Sequence, residues 1–311
     1  MTTRGTGRFA PSPTGPLHAG SLLAAMGSCL DARANGARWI VRIEDIDTPR
    51  VIPGCADGQL RTLENYGFEW DGPVLHQSTR FEAYRAALAQ LERQRRTFRC
   101  SCSRKDLAAP GDDEAAGYPG TCRAGPTKPG PTAVRFRASD GHLKFEDLFQ
   151  GEQDADLRVL GDFVLERRDG LPSYQLAVVV DDAFQGVTRV VRGADLLAST
   201  PWQIDLQGAL GLDRPIYGHL PLLTERDGAK LSKSRHALPL AADGFGGPVD
   251  RIAVSRALTS TLTLLSQRPP PDLASAPIKD VWKWALANWH PQALAGRKTA
   301  SLSASGDKSS F

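Results

Sequence analysis

Residues 7–47 of this 311-residue chain read GRFAPSPTGPLHAGSLLAAMGSCLDARANGARWIVRIEDID, and the fold class follows from them. Residues 7–10 suit a short strand, while Pro11, Pro13, Gly15 and Pro16 interrupt any regular element. From His18 to Arg33, the side chains of Leu22, Met26, Cys29 and Leu30 recur on one helical face, and Asn35-Gly36 is a helix stop. Residues 39–43 then read as an apolar strand running into the acidic residues Glu44, Asp45 and Asp47. A strand, a helix and a strand within ~40 residues form a right-handed crossover, with parallel pairing as the default. The expectation is an α/β protein built on a parallel sheet.

Working outward, the spacing predicts helices over 54–66 and 80–95, the second carrying Tyr84, Leu88 and Leu91 on one face. Residues 99–132 break this pattern with three cysteines, many Gly and Pro and little periodicity, as an insertion held by something other than a core would. Strand-like runs follow at 133–137, 162–167 and 175–180, then a helix over 200–210 and a strand over 216–223. Residues 224–236 are polar around the turn Arg226-Asp227-Gly228. Helical stretches over 253–265 and 278–289 precede a Ser/Lys-rich tail, 296–311, expected to fray.

Composition excludes several classes. Hydrophobic residues at 41% and charged residues at 23% rule out wholesale disorder. A net charge of +3 decides nothing about nucleic acid, for which a local basic face is what matters. The longest uncharged apolar stretch, residues 17–30, contains His18, Gly and Ser and is too short to span a bilayer; no signal peptide is expected. A cytoplasmic protein, off the membrane and working as a monomer, is the expectation. Five cysteines, an odd number, argue against a disulfide framework. Cys29 and Cys55 suit small structural positions, whereas Cys100, Cys102 and Cys122 cluster in a way that favours metal.

Three groups of residues carry chemistry. In the turn ending Leu17-His18-Ala19-Gly20-Ser21, Gly20 lets a ligand approach the backbone, and free N–H groups at a helix start attract phosphate, to which His18 can donate. Alone, a Pro/Gly loop before a helix is more often structural. Lys230-Leu231-Ser232-Lys233-Ser234 offers two ammonium groups and two hydroxyls that can close over a triphosphate, although alone it is a solvated basic loop. Cys100-x-Cys102 and Tyr118-x-x-x-Cys122 supply three thiols and a phenol; structural zinc wants a fourth ligand, which His142 or Tyr118 could provide. Arg93, Arg95, Arg96 and Arg99 are either phosphate contacts or a solvated helix end.

Together the two nucleotide motifs, PxPTGxLHxGS and KLSKS, resemble the signature motifs of class I aminoacyl-tRNA synthetases. RFAPSPTG at the start and Arg42-Ile43-Glu44-Asp45 resemble the glutamyl branch of that family. The resemblance implies a Rossmann-type catalytic domain, ATP with magnesium, and an aminoacyl-adenylate. It implies catalytic roles for His18, Lys230 and Lys233, and ATP contacts from His18, Gly20, Ser21, Lys230, Ser232 and Lys233. A glutamate pocket must meet two carboxylates and one ammonium. Arg8, Glu44, Tyr174 and Arg192 sit at ends of predicted strands, where open α/β sheets place ligands. By resemblance Arg8, Phe9, Ala10, Pro11, Ser12, Glu44, Tyr174 and Arg192 form that pocket, with Glu44 on the α-ammonium and Arg8 and Arg192 on carboxylates.

The short paralogue of this branch carries a Cys-x-Cys…Tyr-x-x-x-Cys zinc site, which implies one structural zinc per chain on Cys100, Cys102, Tyr118 and Cys122. The implied organisation is a first half of the catalytic domain over 1–98, a zinc-containing insertion over 99–161, and a second half over 162–223. The KLSKS loop with a short, mainly helical region follows over 224–295, then the tail. About 75 residues follow Ser234, where larger members continue into a helical anticodon-binding region. That pattern resembles the short paralogue, which activates L-glutamate with ATP and esterifies it to queuosine at the wobble position of tRNA(Asp). The alternatives are a truncated glutamyl-tRNA synthetase charging a 3′ end, a non-catalytic RNA-binding module, and a nucleotidyltransferase without RNA.

Overall fold

The structure, a computed structural model, describes residues 5–107, 117–224, 240 and 249–301. Its first unit is the expected one: β1 (Thr6–Phe9), α1 (Ala19–Ala34) and β2 (Arg38–Ile43), with Arg8 opposite Ile40 and Phe9 opposite Val41 in a parallel pair. Leu22, Met26 and Leu30 are buried, as the helical stripe requires. α1 can lie close to the sheet because the facing residues are small: a Cβ on Gly7 would stand 2.9 Å from the Ala32 Cβ.

The chain continues through α2 (Cys55–Asn65), β3 (Leu75–His76), α3 (Phe81–Arg93), β4 (Thr97–Cys100), the short α4 (Arg104–Leu107) and β5 (Ala133–Phe136). Next come β6 (His142–Asp147), β7 (Gly151–Asp156), α5 (Leu157–Leu160), β8 (Phe163–Glu166), α6 (Tyr174–Phe184), β9 (Arg189–Gly193) and α7 (Thr200–Leu210). The remaining elements are β10 (Ile216–Leu220), β11 (Leu222–Thr224), α8 (Arg251–Leu264), α9 (Ile278–Ala287) and β12 (Thr299–Ser301).

The main sheet has the order β3-β2-β1-β9-β10-β6-β7. Its pairings are parallel except for β7, which pairs antiparallel with β6. β1 has β2 on one side and β9 on the other, so the strand order reverses there; a crevice opens beyond the carboxyl ends at such a point. One core lies where α1, α8 and α9 cover the sheet, and a second where α3, α6 and α7 pack together. β4, β5 and β8 form a separate antiparallel sheet. Among the described residues no helix is long and apolar enough to cross a membrane.

Four expectations change. Residues 175–180 are not a strand but the body of α6, begun by Ser173, whose Oγ accepts from the Leu176 N–H at 3.4 Å. Leu176, Ala177, Val178 and Val179 are all buried, and a helix covered on every side is apolar on every side and loses its periodic signature. The strand over 216–223 divides at Pro221 into β10 and β11, because proline has no N–H for a ladder. Residues 142–156, placed in the insertion, form the β6–β7 hairpin at the edge of the main sheet. The tail is not wholly frayed: β12 pairs in parallel with β11, Leu222 opposite Thr299.

Candidate active site

The nucleotide turn is braced from α2. Gln59 Nε2 donates to the carbonyls of Ser12 at 3.0 Å and Gly15 at 2.8 Å, and the Cys55 thiol donates to the Gly15 carbonyl at 3.1 Å. His18 caps α1: its Nδ1 accepts the N–H groups of Gly20 at 3.1 Å and Ser21 at 3.4 Å. Burial pushes its pKa below the ordinary value, so the ring is neutral at pH 7. With Nδ1 an acceptor, the proton sits on Nε2, the donor that a phosphate oxygen needs. Of the N–H groups at this helix start, His18 thus takes those of Gly20 and Ser21. Gly20 serves the same cap, since a Cβ there would stand 3.0 Å from His18 Cε1. A cleft of about 460 Å³ opens over the turn, lined by Ser12, Gly15, His18, Gly20 and Ser21 with Gly193 across from them. Phe9, Ala10 and Pro11 line the same cleft at the end of β1. Lys230, Ser232 and Lys233 lie outside the described residues.

Beside this cleft the charged residues interlock. Buried Arg8 donates from Nε to Asp182 Oδ1 at 3.2 Å. Arg42 Nη1 meets the same oxygen at 2.8 Å and Nη2 reaches Glu44 Oε1 at 3.3 Å. The Glu44 N–H donates to the Pro11 carbonyl at 2.9 Å, which ties the acid to the nucleotide loop. Burial pushes the Glu44 carboxyl above its usual value, against the pull of Arg42 and Arg8. A carboxylate so placed gains by meeting a further cation. At the end of β9, buried Arg192 donates from Nη1 to the Tyr174 hydroxyl at 3.3 Å and from Nη2 to Thr200 Oγ1 at 2.9 Å. Burial raises the Tyr174 phenol, which also feels the charges of Arg192, Glu44, Arg8 and Asp182. The structure therefore gathers Arg8, Glu44, Tyr174 and Arg192 as expected, with one change: Tyr174 comes from the first turn of α6, not from a strand end.

Asp182 went unnoticed in the sequence. Two acids at 181–182 inside an apolar run were the available signal, hidden because that run reads as a strand. A second cleft, about 790 Å³, leads from Ser12, Glu44 and Tyr174 past Arg135 and Arg168 to Cys102. Of the four arginines read as either phosphate contacts or a solvated helix end, Arg93, Arg95 and Arg99 are exposed, whereas Arg96 is engaged with Asp205 at 3.2 Å and the Arg137 carbonyl at 3.2 Å.

At the far end of that cleft the three thiols converge. The Sγ atoms of Cys100, Cys102 and Cys122 lie within 4.8 Å of one another, with Cys102 and Cys122 at 3.6 Å. Four donors at ~2.3 Å around a tetrahedral ion would set sulfurs ~3.8 Å apart, so the donor set and spacing fit a metal. The Tyr118 hydroxyl stands 3.4 Å from Cys100 Sγ and 3.8 Å from Cys102 Sγ, and it accepts the Cys122 N–H at 2.7 Å. Burial works against ionising Cys122, but hydrogen bonds from Ser101, Tyr118 and Thr127 outweigh it and hold the thiol down to about 5. His142 is elsewhere, exposed on β6 with Nδ1 2.8 Å from Asp154 Oδ1. Of the two candidate fourth donors, the fold brings only Tyr118 to the thiols.

Residues 6–246 match the family described as tRNA synthetases class I (E and Q), catalytic domain. The chain is 52% identical over 289 residues to the glutamyl-Q tRNA(Asp) synthetase of Dechloromonas aromatica, covering 91% of this chain and 93% of that one. It is 50% identical over 290 residues to the protein of that name from Pseudomonas aeruginosa, covering 93% of this chain and 94% of the relative. A crystal structure of glutamate-tRNA synthetase from Elizabethkingia anophelis superposes with a TM-score of 0.78 at 26% identity, over 98% of this chain and 69% of that one.

Proposed function

Because this chain belongs to the class I tRNA synthetases of the E and Q type, we propose that it activates L-glutamate with ATP and transfers it to queuosine at the wobble position of tRNA(Asp). The observation that carries this is identity of about half over nine-tenths of the chain to proteins bearing that name. The pocket supports it chemically. Of three buried guanidinium groups and two buried acids, Arg42 and Asp182 brace their neighbours, which leaves Arg8, Arg192 and Glu44 to match the two carboxylates and one ammonium of glutamate. Glutamine would leave a guanidinium without its anion.

In this mechanism Glu44 accepts from the α-ammonium, and Arg8 and Arg192 hold the carboxylates with the Tyr174 hydroxyl beside them. An oxygen of the α-carboxylate attacks the α-phosphorus of ATP in line, and pyrophosphate leaves. Catalysis is positioning and charge stabilisation, with no protein nucleophile. His18 donates from Nε2 to a phosphate oxygen, and Lys230 and Lys233 neutralise the triphosphate. A hydroxyl of the queuosine cyclopentenediol then attacks the mixed-anhydride carbonyl, and AMP leaves. Cys100, Cys102, Cys122 and Tyr118 would hold one structural zinc, which would supply folding energy. Magnesium, arriving with ATP, would add positive charge at the phosphates.

The acceptor decides between this function and 3′-end charging. Radiolabelled glutamate should attach to tRNA(Asp) from queuosine-containing cells even after its 3′ end is trimmed, and unmodified tRNA(Asp) should accept none. Labelling of tRNA(Glu) at its 3′ end, with queuosine tRNA ignored, would overturn the assignment.

A further inference from the structure

Behind Arg192 lies a line of buried groups to which the mechanism above assigns no task. His219, in β10, has no exposed surface, and Asp147, at the end of β6, is 1% exposed. Asp147 Oδ2 stands 2.5 Å from His219 Nδ1, and His219 Nε2 stands 3.1 Å from Arg192 Nε. These contacts admit one tautomer. A guanidinium has only N–H donors, so Nε2 must accept; a carboxylate only accepts, so Nδ1 carries the proton. The other oxygen of Asp147 takes three backbone N–H groups, from His219 at 3.1 Å, Phe149 at 3.0 Å and Gln150 at 3.0 Å. Thr200 Oγ1 accepts from Arg192 Nη2 at 2.9 Å and lies 3.0 Å from the Leu196 carbonyl and 3.1 Å from His219 Nε2, both acceptors for its one hydroxyl proton. The planar fork of Arg192 is thus held along one edge, and Nη1 is left toward Tyr174 and the pocket.

We infer that Asp147 and His219 are positioning residues for the amino-acid substrate: Asp147 fixes the tautomer of His219, and His219 fixes the angle at which Arg192 presents its guanidinium to a carboxylate. The inference rests on Arg192 binding glutamate, as proposed above. Its logic is that a neutral acceptor orients a guanidinium without cancelling its charge. A carboxylate in direct contact, as Asp182 is with Arg8, would orient Arg192 as well but would share its charge with the substrate. The ring stays neutral because burial dominates. Asp147 from β6, Arg192 from β9 and Arg8 from β1 are the charged groups that face it, and the Tyr217 ring lies stacked at 6.3 Å.

Glutamate-dependent exchange of pyrophosphate into ATP tests this, with KM measured separately for glutamate and ATP and melting curves taken for each protein. His219→Asn puts an amide nitrogen where Nδ1 was and offers nothing at the Nε2 position. Its glutamate KM should rise tenfold or more, while its ATP KM stays within about twofold. His219→Gln returns an oxygen near the Nε2 position and should recover most of the loss. Asp147→Asn keeps an oxygen for the three amides but donates to Nδ1, which forces the ring proton onto Nε2 against Arg192; its glutamate KM should rise too. Should His219→Asn not fold, Asp147→Asn carries the test. Wild-type glutamate KM in the Asn variants, or glutamate and ATP KM rising together without recovery in His219→Gln, would overturn the inference alone. Wild-type protein without any glutamate-dependent exchange would overturn both it and the function on which it rests.

Discussion

The charged pocket and the cysteine cluster share one cleft, which runs from Glu44 to Cys102, yet opposite means hold them. The pocket residues project from the ends of β1, β2 and β9 and from α6, and their partners are protein groups: Asp182 for Arg8 and Arg42, Thr200 for Arg192. Among the described residues the cluster is small: Phe98, Cys100 and Cys122 are buried, with Cys102 and Tyr118 packed against them. Fixed dipoles and ion pairs inside a sheet are organised before any ligand arrives. Three thiols and a phenol around one point would gain further stability from an ion such as the proposed zinc. One cleft therefore joins a wall that the core maintains to a wall that the proposed zinc would maintain.

That contrast can be broken at either wall. The largest effect should come from Arg192→Ala, which removes the donor to a substrate carboxylate and leaves Thr200 and His219 without their partner. Glutamate-dependent pyrophosphate exchange should fall at least ~100-fold, the equivalent of roughly 3 kcal/mol, with the melting point lowered as well by the buried groups left unpaired. Near-normal exchange would show that the pocket is not where the carboxylate binds.

A smaller effect on activity is expected at the other wall. Wild-type protein should carry about one zinc per chain, and Cys100→Ser should lower that content and expose 99–125 to protease, while exchange survives largely intact. Tyr118→Phe should lose less metal than Cys100→Ser. Full retention of zinc by Tyr118→Phe would make water the fourth ligand, because His142 is tied to Asp154 in another sheet. Exchange that collapsed with the metal would mean that the two walls are not independent.

The smallest effect is one of pH. Burial holds both His18 and His219 below 6.5, so below that pH the unfolded chain binds protons that the folded chain does not. Stability then rises with pH up to about 6.5 and is lost on acidification. The urea midpoint should fall between pH 7.5 and pH 5.5, and by less in His219→Gln, which has one such group fewer. An equal fall in both proteins would contradict a neutral, buried His219.

Much of this was legible along the chain. The β1–α1–β2 unit showed itself through spacing and stop signals, and Arg8, Glu44 and Arg192 through the resemblance to the glutamyl branch. The three cysteines stood out by their clustering. Such features are local: a helix stripe, a turn or a pair of ligands two residues apart is written in consecutive residues. The fold alone turned 175–180 into a helix, because burial on all sides erases the periodicity that separates helix from strand. It alone moved 142–156 from the insertion to the main sheet and gave the tail a strand, since pairing partners leave no mark in local spacing. And it alone supplied the partners that make the site: Asp182 lies 174 residues from Arg8 in the chain, and Asp147 lies 72 from His219. A buried charge takes whichever group the packing brings within reach, and that choice is made in three dimensions, between residues that no window of sequence contains together.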